Sequence, residues 1–421
     1  MRSPTSSRIS AARRLRPNAG TRPSTTRANT GDCEHPPVSP LFGRRKPPIV
    51  VPPVPQVTIL GAGSWGTTFA KILADGGADV TLWARRPELA REIGLAKRNS
   101  DYLPGINLPP SIRATSSLEE AVGASAFVFV SIPSQSLRSN LAALSPLIGP
   151  ETVVVSLMKG VEKGTGLRMS EVLEQGLVID RDRLAVASGP NLALEIAKEQ
   201  PTAAVISSAS LATAEAVAMV ATNRYFRSFV NTDVIGTEFG GVLKNLIAVA
   251  IGIVDGVGYG ENTKASILTR GLAEMTDFAV AYGARPETMS GLAGLGDLIA
   301  TSSSPLSRNN TAGRLLGQGY SFTDVVARMQ QTAEGLASVA PILTLAAARG
   351  VDMPIVQQVS QVLAGTLNPR DIAPHLTTDS LEPQGERPID GRKNRGGPAL
   401  RRPFQRTFDQ LRNGGRGAGG H

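Results

Sequence analysis

Cysteine is almost absent from this chain. The single Cys33 has no partner for an intrachain disulfide, and no Cys/His cluster has the spacing of a zinc site, so no metal ligands are expected. Histidine is nearly as scarce. His35, His375 and His421 lie near the ends, which excludes a histidine base from the core. No run approaches the ~18 consecutive apolar residues that a membrane span requires, so no integral membrane segment is expected. The formal charge of +9 is also absent from the middle of the chain. Residues 1–56 hold ten Lys/Arg against two Asp/Glu, and residues 377–421 hold nine against five, which leaves residues 57–376 at −3. That part carries no electrostatic footprint for DNA or RNA, and no nucleic-acid partner is expected.

What is present is the composition of a folded enzyme: 41% apolar and 19% charged residues over 421 positions, long enough for two cores. Residues 1–56 read as a disordered basic extension and residues 373–421 as a disordered tail. The extension has the Arg/Ser-rich, acid-poor composition of an organellar transit peptide. Pro17, Pro23, Pro36 and Pro37 would interrupt the helix such a signal needs. A misplaced start is the other reading, since no Met lies between Met1 and Met158 and a valine within 50–57 could initiate the chain.

Apolar runs at 57–60, 80–83, 127–130 and 153–155 alternate with helical patterns, and two more β-rich runs follow at 202–207 and 226–230. From Gly236 to about 364 the pattern is helical. The expected fold is α/β: a doubly wound parallel sheet over 57–232, followed by an all-α substrate and catalytic domain over 233–372.

Gly61-Ala62-Gly63-Ser64-Trp65-Gly66 is a G-x-G-x-x-G turn between the first strand and a helix. Gly61 makes the tight turn, Gly63 admits a diphosphate to the backbone, and Gly66 lets helix and strand pack closely. This makes the first domain a Rossmann-like dinucleotide site. An NAD-specific site usually places Asp or Glu at the end of the second strand to accept from the ribose 2′-hydroxyl. Here Arg85 and Arg86 stand there, two guanidinium groups suited to a 2′-phosphate. NADP(H) preference, or use of both NAD(P)(H) forms, is expected.

The stretch 236–257 is apolar almost all round, yet Lys244 and Asn245 interrupt it. A buried lysine is costly unless it is paired or used in chemistry. Lys159 follows the fourth strand, where the carboxyl ends of strands face the ligand crevice. Gly291 to Asp297 is a glycine-rich turn delivering a carboxylate, and Ser307-Arg308-Asn309 suits a phosphate monoester. Each of these could instead be a snorkelling lysine, a surface residue or a helix cap.

Taken together, the residues resemble the NAD(P)-dependent glycerol-3-phosphate dehydrogenases of the bacterial type. The matching blocks include GAGSWGT (61–67), LWARR (82–86), YLPG (102–105), KG (159–160) and SGPN (188–191). They continue with DVIGTEFGGVLKN (233–245), TRGLAEM (269–275), GLAGLGDL (291–298), SRNNTAG (307–313) and AEG (333–335). The resemblance covers about 57–365 and implies a reversible hydride transfer between NAD(P)H and dihydroxyacetone phosphate, giving sn-glycerol 3-phosphate. Lys244 is then the proton donor and acceptor. Lys159, Gly189, Asn191, Asn245, Asp297, Ser307, Arg308 and Asn309 would contact substrate. Ser64, Trp65, Arg85, Arg86, Lys159, Ala193, Arg308 and Glu334 would contact the cofactor. Asn191 replaces the family's frequent Ser or Thr, Ser302 a frequent Cys, and Asn310-Thr311 a more basic pair. The resemblance further implies a cytoplasmic homodimer supplying the glycerol backbone of phospholipids. Two rivals remain: a related two-domain dehydrogenase of 2- or 3-hydroxy acids, and a catalytically silent NADP(H)-binding regulator.

Overall fold

The computed structural model describes residues 53–329 and 334–373. The extension and tail therefore lie almost wholly outside the described residues. Eight strands form one sheet: β1 (Gln56–Leu60), β2 (Asp79–Trp83), β3 (Arg113–Thr115), β4 (Phe127–Val130), β5 (Val153–Ser156), β6 (Leu184–Ser188), β7 (Thr202–Ser208) and β8 (Phe226–Asn231). Their spatial order is β3-β2-β1-β4-β5-β6-β7-β8, so the winding reverses between β1 and β4. Ligands bind outside the carboxyl ends of strands at such a reversal.

β4 and β5 are buried along their whole length, which explains their unbroken Phe/Val runs. Phe69 on the first helix (Ser64–Asp75) packs between Phe129 of β4 and Phe226 of β8, with ring centroids at 5.1 and 5.9 Å. One pairing departs from the expected parallel sheet: β6 and β7 run antiparallel. The connection between them holds only the five-residue helix Ala193–Ala197, too short for a crossover back to the start of the sheet. Two strands carry no strong pattern in the sequence. β3 has three residues, and β6 reads Leu-Ala-Val-Ala-Ser, whose short side chains give little alternation.

After Asn231 the chain turns helical. Asp233 caps the long helix Val234–Val257 by accepting from the Gly236 amide at 2.9 Å. This helix has the length and hydropathy of a membrane span, but 83% of its apolar window is buried inside the protein. It is the core helix of the second half, surrounded by others including Glu261–Ala281, Asp297–Ser303, Arg308–Gly317 and Pro354–Leu363. Its closest neighbour is Arg308–Gly317, and the two meet main chain to main chain. A Cβ added at Gly252 would lie 2.3 Å from the Asn310 carbonyl oxygen, and one at Gly313 would lie 2.2 Å from that of Val249. Gly256 and Gly317 extend the same seam one turn further.

Candidate active site

The carboxyl ends of the strands and the second-half helices enclose a cavity of about 1090 Å³. Its walls include the turn after β1, Arg85 and Arg86 after β2, Ser131 to Ser136 after β4, and Met158 and Lys159 after β5. Asn191 and Ala193 follow β6, and Lys244, Asn245, Thr301, Ser307, Arg308 and Asn309 close the far side.

The dinucleotide end fits its expected ligand. A Cβ at Gly66 would sit 1.9 Å from the Gly61 carbonyl oxygen, so helix and turn meet as only glycine permits. At Gly63 nothing lies within 4 Å of the missing Cβ, which leaves the backbone open to the cavity beside the helix N-terminus. Trp65 Nε1 and both amide atoms of Asn191 are buried against this cavity with no hydrogen-bond partner among the described residues. Buried polar groups in that condition are uncommon in folded proteins, and a ligand in the cavity would satisfy them.

The catalytic end is organised on one carboxylate. Asp297, 1% exposed, opens the helix Asp297–Ser303 behind the cavity wall. Its Oδ2 lies 2.6 Å from the Lys159 ammonium and its Oδ1 2.9 Å from the Lys244 ammonium. Lys244 is 6% exposed and also donates to the Thr301 hydroxyl, which in turn donates to Asp297 Oδ1 at 3.2 Å. Lys159 makes a second bond, to the Gly189 carbonyl oxygen at 3.1 Å. A single buried carboxylate thus pairs with both ammonium groups, so neither lysine enters the site without an ion-pair partner.

The end expected to take a phosphate is a helix N-terminus. The Ser307 hydroxyl accepts from the Asn310 amide and caps Arg308–Gly317, while Arg308, at the first position of that helix, is exposed toward the cavity. Ser307 is thus a helix cap, and the capped end faces the cavity. Asn309 accepts from the Gly335 amide at 3.1 Å and so ties the start of the helix Glu334–Arg349 to the site. The Glu334 side chain lies outside the described residues.

Gly66, Gly189 and Asp297 stand behind the cavity wall rather than in it, and act on residues that line it. Thr301 is a site residue that the sequence reading does not single out. Its signal is the i, i+4 spacing from Asp297, which puts both on one helix face.

A model of the NAD-dependent glycerol-3-phosphate dehydrogenase N-terminus matches residues 56–214, and one of the corresponding C-terminus matches residues 233–374. The chain is 76% identical over 362 residues to the glycerol-3-phosphate dehydrogenase [NAD(P)+] of Leifsonia xyli subsp. xyli, spanning 85% of this chain and 98% of the relative. It is 52% identical over 329 residues to the Frankia casuarinae protein of the same description, spanning 78% and 98%. The crystal structure of glycerol-3-phosphate dehydrogenase from Coxiella burnetii superposes with a TM-score of 0.73 at 33% identity, over 77% of this chain and 98% of that one.

Proposed function

The chain belongs to the NAD-dependent glycerol-3-phosphate dehydrogenase family, and from that premise we propose that it interconverts dihydroxyacetone phosphate and sn-glycerol 3-phosphate with NAD(P)(H). The observation that carries this reading is the Lys159–Asp297–Lys244 cluster at the sheet's carboxyl edge, between a dinucleotide turn and a helix N-terminus. When bound, the nicotinamide cofactor supplies or accepts the hydride.

Lys244 then donates a proton to the C2 oxygen of the triose during reduction and takes it back in the reverse direction. Asp297 and Thr301 hold its ammonium in place, and Lys159, on the same carboxylate, faces the substrate from the other side. Arg308 and the amides at the start of its helix take the phosphate, with Ser307, Asn309, Asn245 and Asn191 placing the rest of the triose. Gly61, Gly63, Ser64 and Trp65 would cradle the diphosphate, with Gly66 letting the helix close against the turn behind them. Ala193 lines the cofactor side of the cavity, while Arg85 and Arg86 favour a 2′-phosphate. The rival hydroxy-acid reading has no use for a second anion site at Arg308.

The proposal extends to a dinucleotide-binding half over 57–232, a catalytic half over 233–372, and a cytoplasmic homodimer feeding phospholipid synthesis. It is tested by following nicotinamide absorbance with dihydroxyacetone phosphate and either NADPH or NADH. Turnover dependent on the triose phosphate supports it, and no turnover with either nucleotide overturns it.

A further inference from the structure

The end of β2 offers no carboxylate to a ribose 2′-hydroxyl, but the fold brings one in from elsewhere. Asp101 lies 2.5 Å from Arg86 Nη2, with both side chains half exposed; of the two, Arg86 lines the cavity. The Arg86 guanidinium also stands 5.8 Å from the centre of the Tyr102 ring, and Tyr102 lines the cavity.

This neighbourhood is built. Asn99, 1% exposed, donates to the Ala62 carbonyl oxygen at 2.9 Å and to the Thr67 hydroxyl at 2.8 Å. It also accepts from the Tyr102 amide, and the Ser64 hydroxyl donates to the Tyr102 carbonyl oxygen at 2.7 Å. Ser100 is bonded to Glu92 through both its amide and its hydroxyl. Asp101 therefore sits on a segment pinned on both sides, two of the pins being on the dinucleotide turn itself. The hydrogen bond to Asp101 is the strongest influence holding the Arg86 guanidinium charged, with weaker attraction from Tyr102 and Glu88.

We propose that Asp101 is the specificity-determining residue that keeps this site open to both cofactors, accepting from the 2′-hydroxyl of NAD(H) and holding Arg86 back from the 2′-phosphate of NADP(H). A 2′-phosphate can reach Arg86 only by sharing it with a carboxylate of the same sign of charge. A 2′-hydroxyl meets in that carboxylate the acceptor that β2 lacks. The inference rests on the dehydrogenase reading above.

Its test does not need turnover. Trp65 and Trp83 are the only tryptophans in the chain and both line the cavity, so their fluorescence reports nucleotide binding. NADPH and NADH are titrated against the wild type, Asp101→Asn, Asp101→Ala, Arg86→Ala and the Arg86→Ala/Asp101→Asn double variant. In Asp101→Asn the NADPH affinity is expected to rise about twofold to fivefold, the scale of an exposed ion pair. Asp101→Ala should add a loss of NADH affinity of about fivefold, the scale of one hydrogen bond. The NADPH gain should vanish in the Arg86→Ala background and shrink in high salt. An unchanged NADPH-to-NADH ratio, an equal shift for both, or a gain that survives Arg86→Ala overturns the inference and leaves the dehydrogenase reading standing. A wild type that binds neither nucleotide overturns that reading, and this inference with it.

Discussion

Thr301 follows Asp297 by one helical turn, and its hydroxyl meets the same carboxylate oxygen, Oδ1, that the Lys244 ammonium touches. The three groups close a triangle in which the threonine accepts from the lysine and donates to the aspartate. The triangle restricts where the ammonium can point. Threonine-to-valine replacement keeps the shape and removes the hydroxyl. Thr301→Val should lower kcat about tenfold with a smaller change in KM, because the ammonium loses one of its guides. Steady-state kinetics in the triose-phosphate direction would show it; an unaltered kcat would make the hydroxyl a bystander.

Removing the ammonium itself is the larger perturbation. Lys244→Ala should reduce kcat by about 10²–10⁴-fold, the range for loss of a general acid. Nucleotide affinity read from tryptophan fluorescence should stay near the wild-type value, since Lys244 stands on the long helix Val234–Val257 and not on the dinucleotide turn. A variant that turns over normally would remove Lys244 from the chemistry.

Arg308 bears on binding more than on the chemical step. Arg308→Ala should raise KM for dihydroxyacetone phosphate by tenfold or more, as expected from losing a charge-assisted hydrogen bond to phosphate. Its effect on an unphosphorylated analogue such as dihydroxyacetone should be slight. Equal losses on both substrates would place the phosphate elsewhere.

Glu274 supplies a pH-dependent prediction away from the cavity. Its Oε1 accepts the Ile355 amide at 2.6 Å at the start of the helix Pro354–Leu363, while its Oε2 has no partner among the described residues. Burial pushes this carboxyl up from 4.5 to about 8. The folded state thus retains a proton that the unfolded chain releases above pH 4.5, so the stability it contributes is complete below that pH and is lost as pH rises through about 8. Glu274→Gln keeps the acceptor and cannot ionise. Thermal unfolding should find the variant close to wild type near pH 4, increasingly more stable than it as pH rises toward about 8, and ahead by about 3–5 kcal/mol near pH 9. Parallel profiles at both pH values would mean that Glu274 does not titrate in this range.

Much of this arrangement is visible in the sequence, and the exceptions have physical causes. The G-x-G-x-x-G turn and the Lys244 helix announce themselves because glycine spacing and a charge in an apolar run are local signals. Lys159 and Asp297 are 138 positions apart, and local reading can single out each without showing that they share a bond. Asp101 gives no signal at all. Its importance comes from Arg86, fifteen positions earlier, and from pins on a loop that the pattern leaves unassigned. Thr301 is equally silent, since one threonine in a helix is unremarked until its neighbours are placed. The antiparallel β6–β7 pairing depends on the length of a connection, which apolar alternation does not encode.

On the proposed reading, the glycine seam makes the distance between the Lys244 proton donor and the Arg308 phosphate site a property of backbone. Gly313→Ala should wedge the helices apart, costing about 1–3 kcal/mol of stability and raising KM for the triose phosphate. Chemical denaturation alongside kinetics would separate the two effects, and a variant normal in both would show that the seam can yield.

Where side chains fill a gap between helices, selection can tune the spacing one methylene at a time. Between Gly252 and Gly313 nothing remains to trim. If the phosphate sits at Arg308 as proposed, the gauge from ammonium to phosphate is set by two stretches of main chain already in contact, so accepting a ketose phosphate with one more carbon would require a whole helix to be reseated. Ligand length is the trait of this protein that small mutations are least able to change.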